Sequence, residues 1–248
     1  MCAMDKNQLT SQDVKNLSKN LQTENKSVVA QKVSAYYNGH TVTPKGLRLA
    51  EDIFRIMVRD VEAKVRQVLA ESLKNTHNLP EDIVQSVIKD TDAVAVPFIK
   101  YYADLNAEDL IKILDIPSIN KQKAVAQRLN LPNEISEYIV ERCPEEVVGV
   151  LISNETANIH EKTYNTIGEK YRQSEDIKKR LVYRTELPTS VIEKIANSLS
   201  EDLKRRLILS HNLPADLATD IIEEVKEKTT LRISEDYSSD KQIEELVH

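Results

Sequence analysis

Residues 174–188 read SEDIKKRLVYRTELP and residues 200–214 read SEDLKRRLILSHNLP, so the chain copies itself at a distance of 26 residues. Self-similarity at a period of about 20 to 50 residues marks a stacked array, because one such unit cannot bury its apolar side alone and has to lean on copies of itself. Two further copies appear when the Leu-Pro pair is the anchor: Leu79-Pro80 and Leu131-Pro132 join Leu187-Pro188 and Leu213-Pro214. The distances between anchors are two periods, two periods with four extra residues, and one period, so degenerate copies are expected between the first three.

The residue seven before each proline is Leu73, Val125, Leu181 and Leu207. Those three and seven after it are Ile83/Val87, Ile135/Ile139, Val191/Ile195 and Leu217/Ile221. With Ile88, Val140, Ala196 and Ile222 one position further on, the pattern is the apolar stripe of a short helix that shows one side to a core. Proline in the first turn loses no needed N–H and has its φ already set, while the residue before it is pushed towards extended backbone. Each proline therefore opens a helix, and the leucine before it is read as an apolar plug at the bend. Ser174 and Ser200, each followed by Glu-Asp, read as N-caps of the preceding helix. One period thus holds two short helices, and the fold class expected is all-α: an α-solenoid of short helix pairs.

Composition agrees. Four glycines in 248 residues make little provision for hairpin turns, Trp is absent and Phe occurs twice. A net charge of −6 works against wholesale binding to phosphate backbones or anionic membranes. The two cysteines, Cys2 and Cys143, lie far apart without a C-x-x-C partner, which fits a reducing compartment. The opening MCAMDKNQLT has no apolar run of the signal-peptide type, and no later run is long enough to span a bilayer, so the expected location is cytoplasmic.

Along the chain, residues 1–22 are polar and expected to be a flexible segment, 23–46 a helical cap, 47–228 the repeat array and 229–248 an acidic tail or cap. The apolar period from Pro44 to Lys74 runs over about eight turns, long for this chain, with Asp60 placed to divide it. Further helices are expected over 118–126, 133–142, 144–153 and 157–171, and Pro97 is expected to kink its helix or to mark a first turn.

The segments LRLAEDIFRIMVRDVEAKVRQVLAESL, NLPEDIVQSVIKDTDAVAVPFIKYYADLNAEDLIKIL and LPADLATDIIEEVKEKTTLRI, in that order, resemble an alphaproteobacterial family of helical-repeat proteins classed as a domain of unknown function, similar in style to HEAT-like and leucine-rich-repeat-variant arrays. The resemblance covers nearly the whole chain after about residue 24. It implies fold and bacterial origin and transfers no catalytic motif.

Candidate partner-binding residues are the basic triplets Lys178-Lys179-Arg180 and Lys204-Arg205-Arg206. Packed helices lie about 8 to 10 Å apart, so the triplets are expected to form adjoining rows of positive charge fit for an acidic peptide, a phosphorylated partner or a lipid headgroup. The alternative is a solvated helix side whose charges are ordered to suit the dipole. Only Tyr183 lies among these charges, which leaves little to stack on bases. His77 and His211 share a repeat position in copies too far apart to hold one ion, and His40, His160 and His248 lack the spacing of a zinc helix. Neither a metal nor another cofactor is expected. No glycine-rich phosphate loop is present, and His160 with Asn165 is only a loose echo of a kinase catalytic loop. The reading is a non-catalytic protein–protein interaction module. An atypical effector enzyme, such as a lipid or protein phosphotransferase, and a weak nucleic-acid binder are the alternatives.

Overall fold

The computed structural model describes residues 23–39, 42–211, 213–223 and 225. The segments 1–22 and 229–248, with Cys2, His40 and His248, lie outside the described residues. Among the described residues thirteen helices follow one another: α1 (Thr23–Tyr37), α2 (Pro44–Met57), α3 (Ala63–Leu73), α4 (Glu81–Lys89), α5 (Asp92–Tyr101), α6 (Ala107–Leu114), α7 (Ile119–Ala126), α8 (Asn133–Arg142), α9 (Glu145–Ser153), α10 (Glu161–Lys170), α11 (Glu175–Tyr183), α12 (Thr189–Ala196) and α13 (Glu201–Ser210). A further helical stretch covers 215–223, and no strand occurs among the described residues.

Helices pack on the second neighbour in sequence. In one layer α1 packs on α3, and the series continues through α5, α7, α9 and α11 to α13. In the other, α2 packs on α4, and α6, α8, α10 and α12 form a second series. The architecture is the expected all-α solenoid. A single apolar core runs between the layers from Ala30 to Ile221. Leu73, Val125, Leu181 and Leu207 are fully buried in it, as are Ile83, Val87, Ile135, Ile139, Val191 and Ile195. Leu79 and Leu131 are buried at their bends, whereas Leu187 and Leu213 are only partly covered.

The prolines act one position earlier than the sequence implied. Pro80, Pro132 and Pro188 are the N-caps of α4, α8 and α12, with extended ψ of 139°, 148° and 138°. An N-cap still outside the helix needs no N–H, and its carbonyl accepts the first helical bonds, as from Ser136 N to Pro132 O at 3.1 Å. In the degenerate copies other residues take this place. Asn106 caps α6 through a capping box with Asp109, and His160 caps α10. Ser174 caps α11 and accepts from Ile177 N at 3.2 Å, while Ser200 stands at the N-cap of α13 without a side-chain bond.

The four extra residues are divided between the two connections of α10. The second-layer helices begin at 81, 107, 133, 161 and 189, the first-layer ones at 92, 119, 145, 175 and 201. The helix expected from 157 therefore starts at Glu161, because 154–160 form a loop closed by Ala157 N to Asn154 O and Asn158 N to Leu131 O, both 3.0 Å. The long period at 44–74 is broken at 58–62, where the Asp60 carboxylate binds Lys26 Nζ at 2.8 Å and accepts Glu62 N at 3.0 Å. Pro97 lies inside α5, which continues through it to Tyr101.

Candidate interaction surface

Several charged and amide side chains near helix ends are spent within the array. The last carbonyls of a helix have no intrahelical donors, and many helices satisfy them with glycine in the αL conformation. This chain has four glycines, and none of them has positive φ. Side chains one repeat away supply the donors instead. At the ends of first-layer helices, Arg128 donates to Ile99 O, and Asn154 Nδ2 donates to Ala126 O and Arg128 O at 2.9 and 2.7 Å. Arg184 donates to Ile152 O, Asn154 O and Ala157 O at 2.8, 2.8 and 2.9 Å. His211 Nε2 lies 3.1 Å from Val182 O. At the ends of second-layer helices, Lys121 Nζ caps α4 at Ile88 O and Asp90 O, Lys170 caps α8 at Val140 O, and Lys178 reaches Ser198 O after α12 at 2.8 Å.

This ladder decides where the basic triplets go. Consecutive residues of an α-helix point about 100° apart, so three in a row cannot share one face. Lys178 and Lys204 turn inwards and are 7% and 1% exposed. Arg180 is half-buried: its guanidinium pairs with Asp176 at 2.6 Å and donates to Ser153 Oγ at 2.8 Å across α9. Gly149 makes room for it, since a Cβ there would stand 3.0 Å from Arg180 Nε. Lys179, Arg205 and Arg206 remain exposed. The exposed basic surface is thus three residues rather than two full rows.

The structure adds a feature that the sequence reading missed. Large side chains are exposed at the C-terminal ends of three first-layer helices, Tyr101, Tyr183 and Leu209, and in the turn after a fourth, Leu129, with exposures of 52%, 55%, 83% and 77%. Cations stand beside the two tyrosines, Lys74 and Lys100 at 5.0 and 5.3 Å from the Tyr101 ring centre and Arg206 at 5.0 Å from that of Tyr183. The signal was present as apolar residues off the helical stripe, with Tyr183 and Leu209 one period apart. At α9 the row is interrupted by Ser153, and a groove of about 350 Å³ opens there, lined by Ile152, Ser153, Glu155, Asp176, Lys179, Arg180, Tyr183 and Arg184.

A wider cleft of about 870 Å³ lies where the α9–α10 loop meets the α11–α12 connection. Its floor is Tyr164 with the Arg184 guanidinium 5.7 Å from the ring centre, and burial pushes the Tyr164 hydroxyl above its ordinary range. Thr185 N donates to the Glu155 carboxylate at its rim, 3.2 Å away. His160 donates its backbone N–H to Asn133 Oδ1 at 2.8 Å, and Asn165 lies within α10. His77 faces Asp104 at 3.0 Å. The Cys143 thiol is buried and pushed up to about 11, by desolvation first and by the Asp115 charge second. No group of three or more His, Cys, Asp or Glu suited to a metal occurs among the described residues. None of the helices among them is long and apolar enough to cross a membrane.

Two layers of short helices, fastened repeat to repeat by side-chain caps, define a helical array of the solenoid type. The chain belongs to a bacterial family, described as "Uncharacterised protein conserved in bacteria (DUF2336)", whose model matches residues 94–248. No curated protein matches it. Among solved structures, the crystal structure of an engineered protein aligns over 88% of this chain and 94% of its own, at 13% identity and a TM-score of 0.33.

Proposed function

We propose that this protein is a protein–protein interaction module whose contact surface is the outer edge of the first layer. The observation that carries the reading is the row Tyr101, Leu129, Tyr183 and Leu209. Apolar side chains scattered singly on a surface need no explanation, but Tyr101, Tyr183 and Leu209 each stand five residues before the bend position 106, 188 or 214, with Leu129 near the corresponding place of its own repeat, and together they offer an extended partner a series of apolar contacts. Aromatic residues and arginine are the types enriched where protein partners bind. The elongated array suits contacts spread over several repeats. Kinship with HEAT-like arrays, an alphaproteobacterial distribution and a cytoplasmic location belong to the same proposal.

The test is the double substitution Leu129→Glu with Leu209→Glu. Both residues project into solvent, so the melting temperature is expected to stay within about 2 °C of the parent. Proteins that co-purify with the parent chain from the source bacterium are expected to be lost. Retention of the same proteins by the double variant defeats the reading.

A further inference from the structure

The C-terminal end of that row has a chemistry of its own. Lys179 and Tyr183 lie four residues apart on α11, and Arg205 and Leu209 stand at the same two positions on α13. Residues at i and i+4 share a helix face, so each helix presents one cation and one large side chain outwards. The two faces adjoin: α11 packs on α13, and Arg206 of α13 reaches back over the Tyr183 ring at 5.0 Å. Lys179 and Arg205 make no ion pair among the described residues. Of the acidic neighbours, Asp176 is engaged by Arg180, Glu175 by Lys178 and Glu155 by the Thr185 N–H, while Glu201 and Asp202 stand one turn before Arg205 and Arg206 on α13 and form no ion pair with them. Three cations are therefore left exposed around two protruding side chains, on a chain whose net charge is −6.

Resting on the interaction-module reading, we infer that this patch takes an acidic, amphipathic segment of another protein. Carboxylates of the segment pair with Lys179, Arg205 and Arg206, its apolar side chains cover Tyr183 and Leu209, and one of them enters the 350 Å³ groove between α9 and α11. Charge complementarity selects this occupant. A basic segment would meet three like charges, and a nucleic acid would find a single aromatic ring on an acidic molecule. Lys179 and Tyr183 both line that groove, so salt links and apolar burial act on the same residues.

The experiment is fluorescence anisotropy with the full chain and a labelled synthetic peptide of about 16 residues, long enough as a helix to cross both faces. The peptide carries Glu at most positions and Phe or Leu at every third or fourth. Saturable binding is expected, weakening steeply as salt rises. The triple variant Lys179→Glu, Arg205→Glu, Arg206→Glu is expected to weaken it by at least about tenfold, and Tyr183→Ala by about threefold to tenfold. Lys45→Glu, an exposed cation at the far end of the array, is expected to leave binding unchanged. Equal binding by the triple variant, equal binding of a Lys-for-Glu peptide, or capture of anionic vesicles or single-stranded DNA in place of the peptide each overturns the inference. A photo-crosslinking side chain at 129 and, separately, at 209 keeps the two proposals apart. Crosslinks to protein at 129 alone remove the acidic-segment patch and leave the module, whereas crosslinks at neither remove both.

Discussion

The regular unit α5–α8 and the expanded unit α9–α12 answer the same problem with different margins. In the regular unit, Arg128 stands three residues before the bend leucine Leu131 and donates to one carbonyl, that of Ile99. In the expanded unit Arg184 stands three before Leu187 and holds three, because the longer loop carries Ala157 O round to the same guanidinium. Leu131 is buried while Leu187 is only partly covered. In the regular unit the bend rests on a buried leucine, and in the expanded unit on a cation that holds three carbonyls beside a less covered leucine; Leu213, partly covered in a repeat of regular length, teaches that the loss of cover does not itself require an insertion.

The largest expected effect is that of Arg184→Ala, which leaves three carbonyls without a donor and opens the space over Tyr164. A cost of about 3–5 kcal/mol in urea denaturation is expected, against about 1–3 for Arg128→Ala. Equal losses break the comparison. Next comes Leu131→Ala at about 2–5 kcal/mol, with Leu187→Ala at roughly half of that because less of it leaves water on folding. A larger loss at Leu187 reverses the assignment of plug and cation.

A pH measurement sharpens the contrast from a third part of the array. Burial alone would raise the Asp90 carboxyl, but hydrogen bonds from Arg66, at 2.6 and 3.0 Å, and from Thr91 N outweigh it and leave it below its ordinary range. A depressed acid contributes stability that is complete above its unfolded value, near 4, and lost as pH falls through the lower folded one. The gap in melting temperature between the parent and Asp90→Asn is thus expected to hold from pH 7 to about 5 and to shrink below 4. A gap that widens on acidification contradicts the pairing. The smallest effect is that of Gly149→Ala. A helix interior ordinarily gains about 0.5–1 kcal/mol from alanine, but the new methyl meets Arg180 Nε, so the gain is expected to vanish or turn into a loss, read by thermal melting.

Much of the fold was legible because it rests on local chemistry. Leu-Pro punctuation, apolar spacing and the Ser174 cap each depend on a few consecutive residues, and helix starts came within one or two positions where those signals were intact. The start of α10 was misplaced because its bend reads Ile159-His160 instead of Leu-Pro. The surface was harder to read. Lys178 and Lys179 are identical letters in adjacent positions, and their separate fates depend on a carbonyl of residue 198, twenty residues away. Arg128-x-x-Leu131 and Arg184-x-x-Leu187 did repeat in the sequence, but the acceptors of both arginines lie on the preceding repeat and leave no letter pattern, since every residue has a carbonyl.

Asn78 and Asn130 occupy the left-handed region, with φ of 56° and 52°, immediately before the Leu-Pro pairs of the two earliest anchors. Each donates its backbone N–H forward: Asn78 to the Asp104 carboxylate at 2.7 Å and Asn130 to Thr156 Oγ1 at 3.2 Å. The corners are thereby clasped by the unit that follows, so a nascent chain leaving the ribosome would not finish one bend until the next had emerged. Shortening the protein from its far end should then loosen the newly exposed corner before any helix melts.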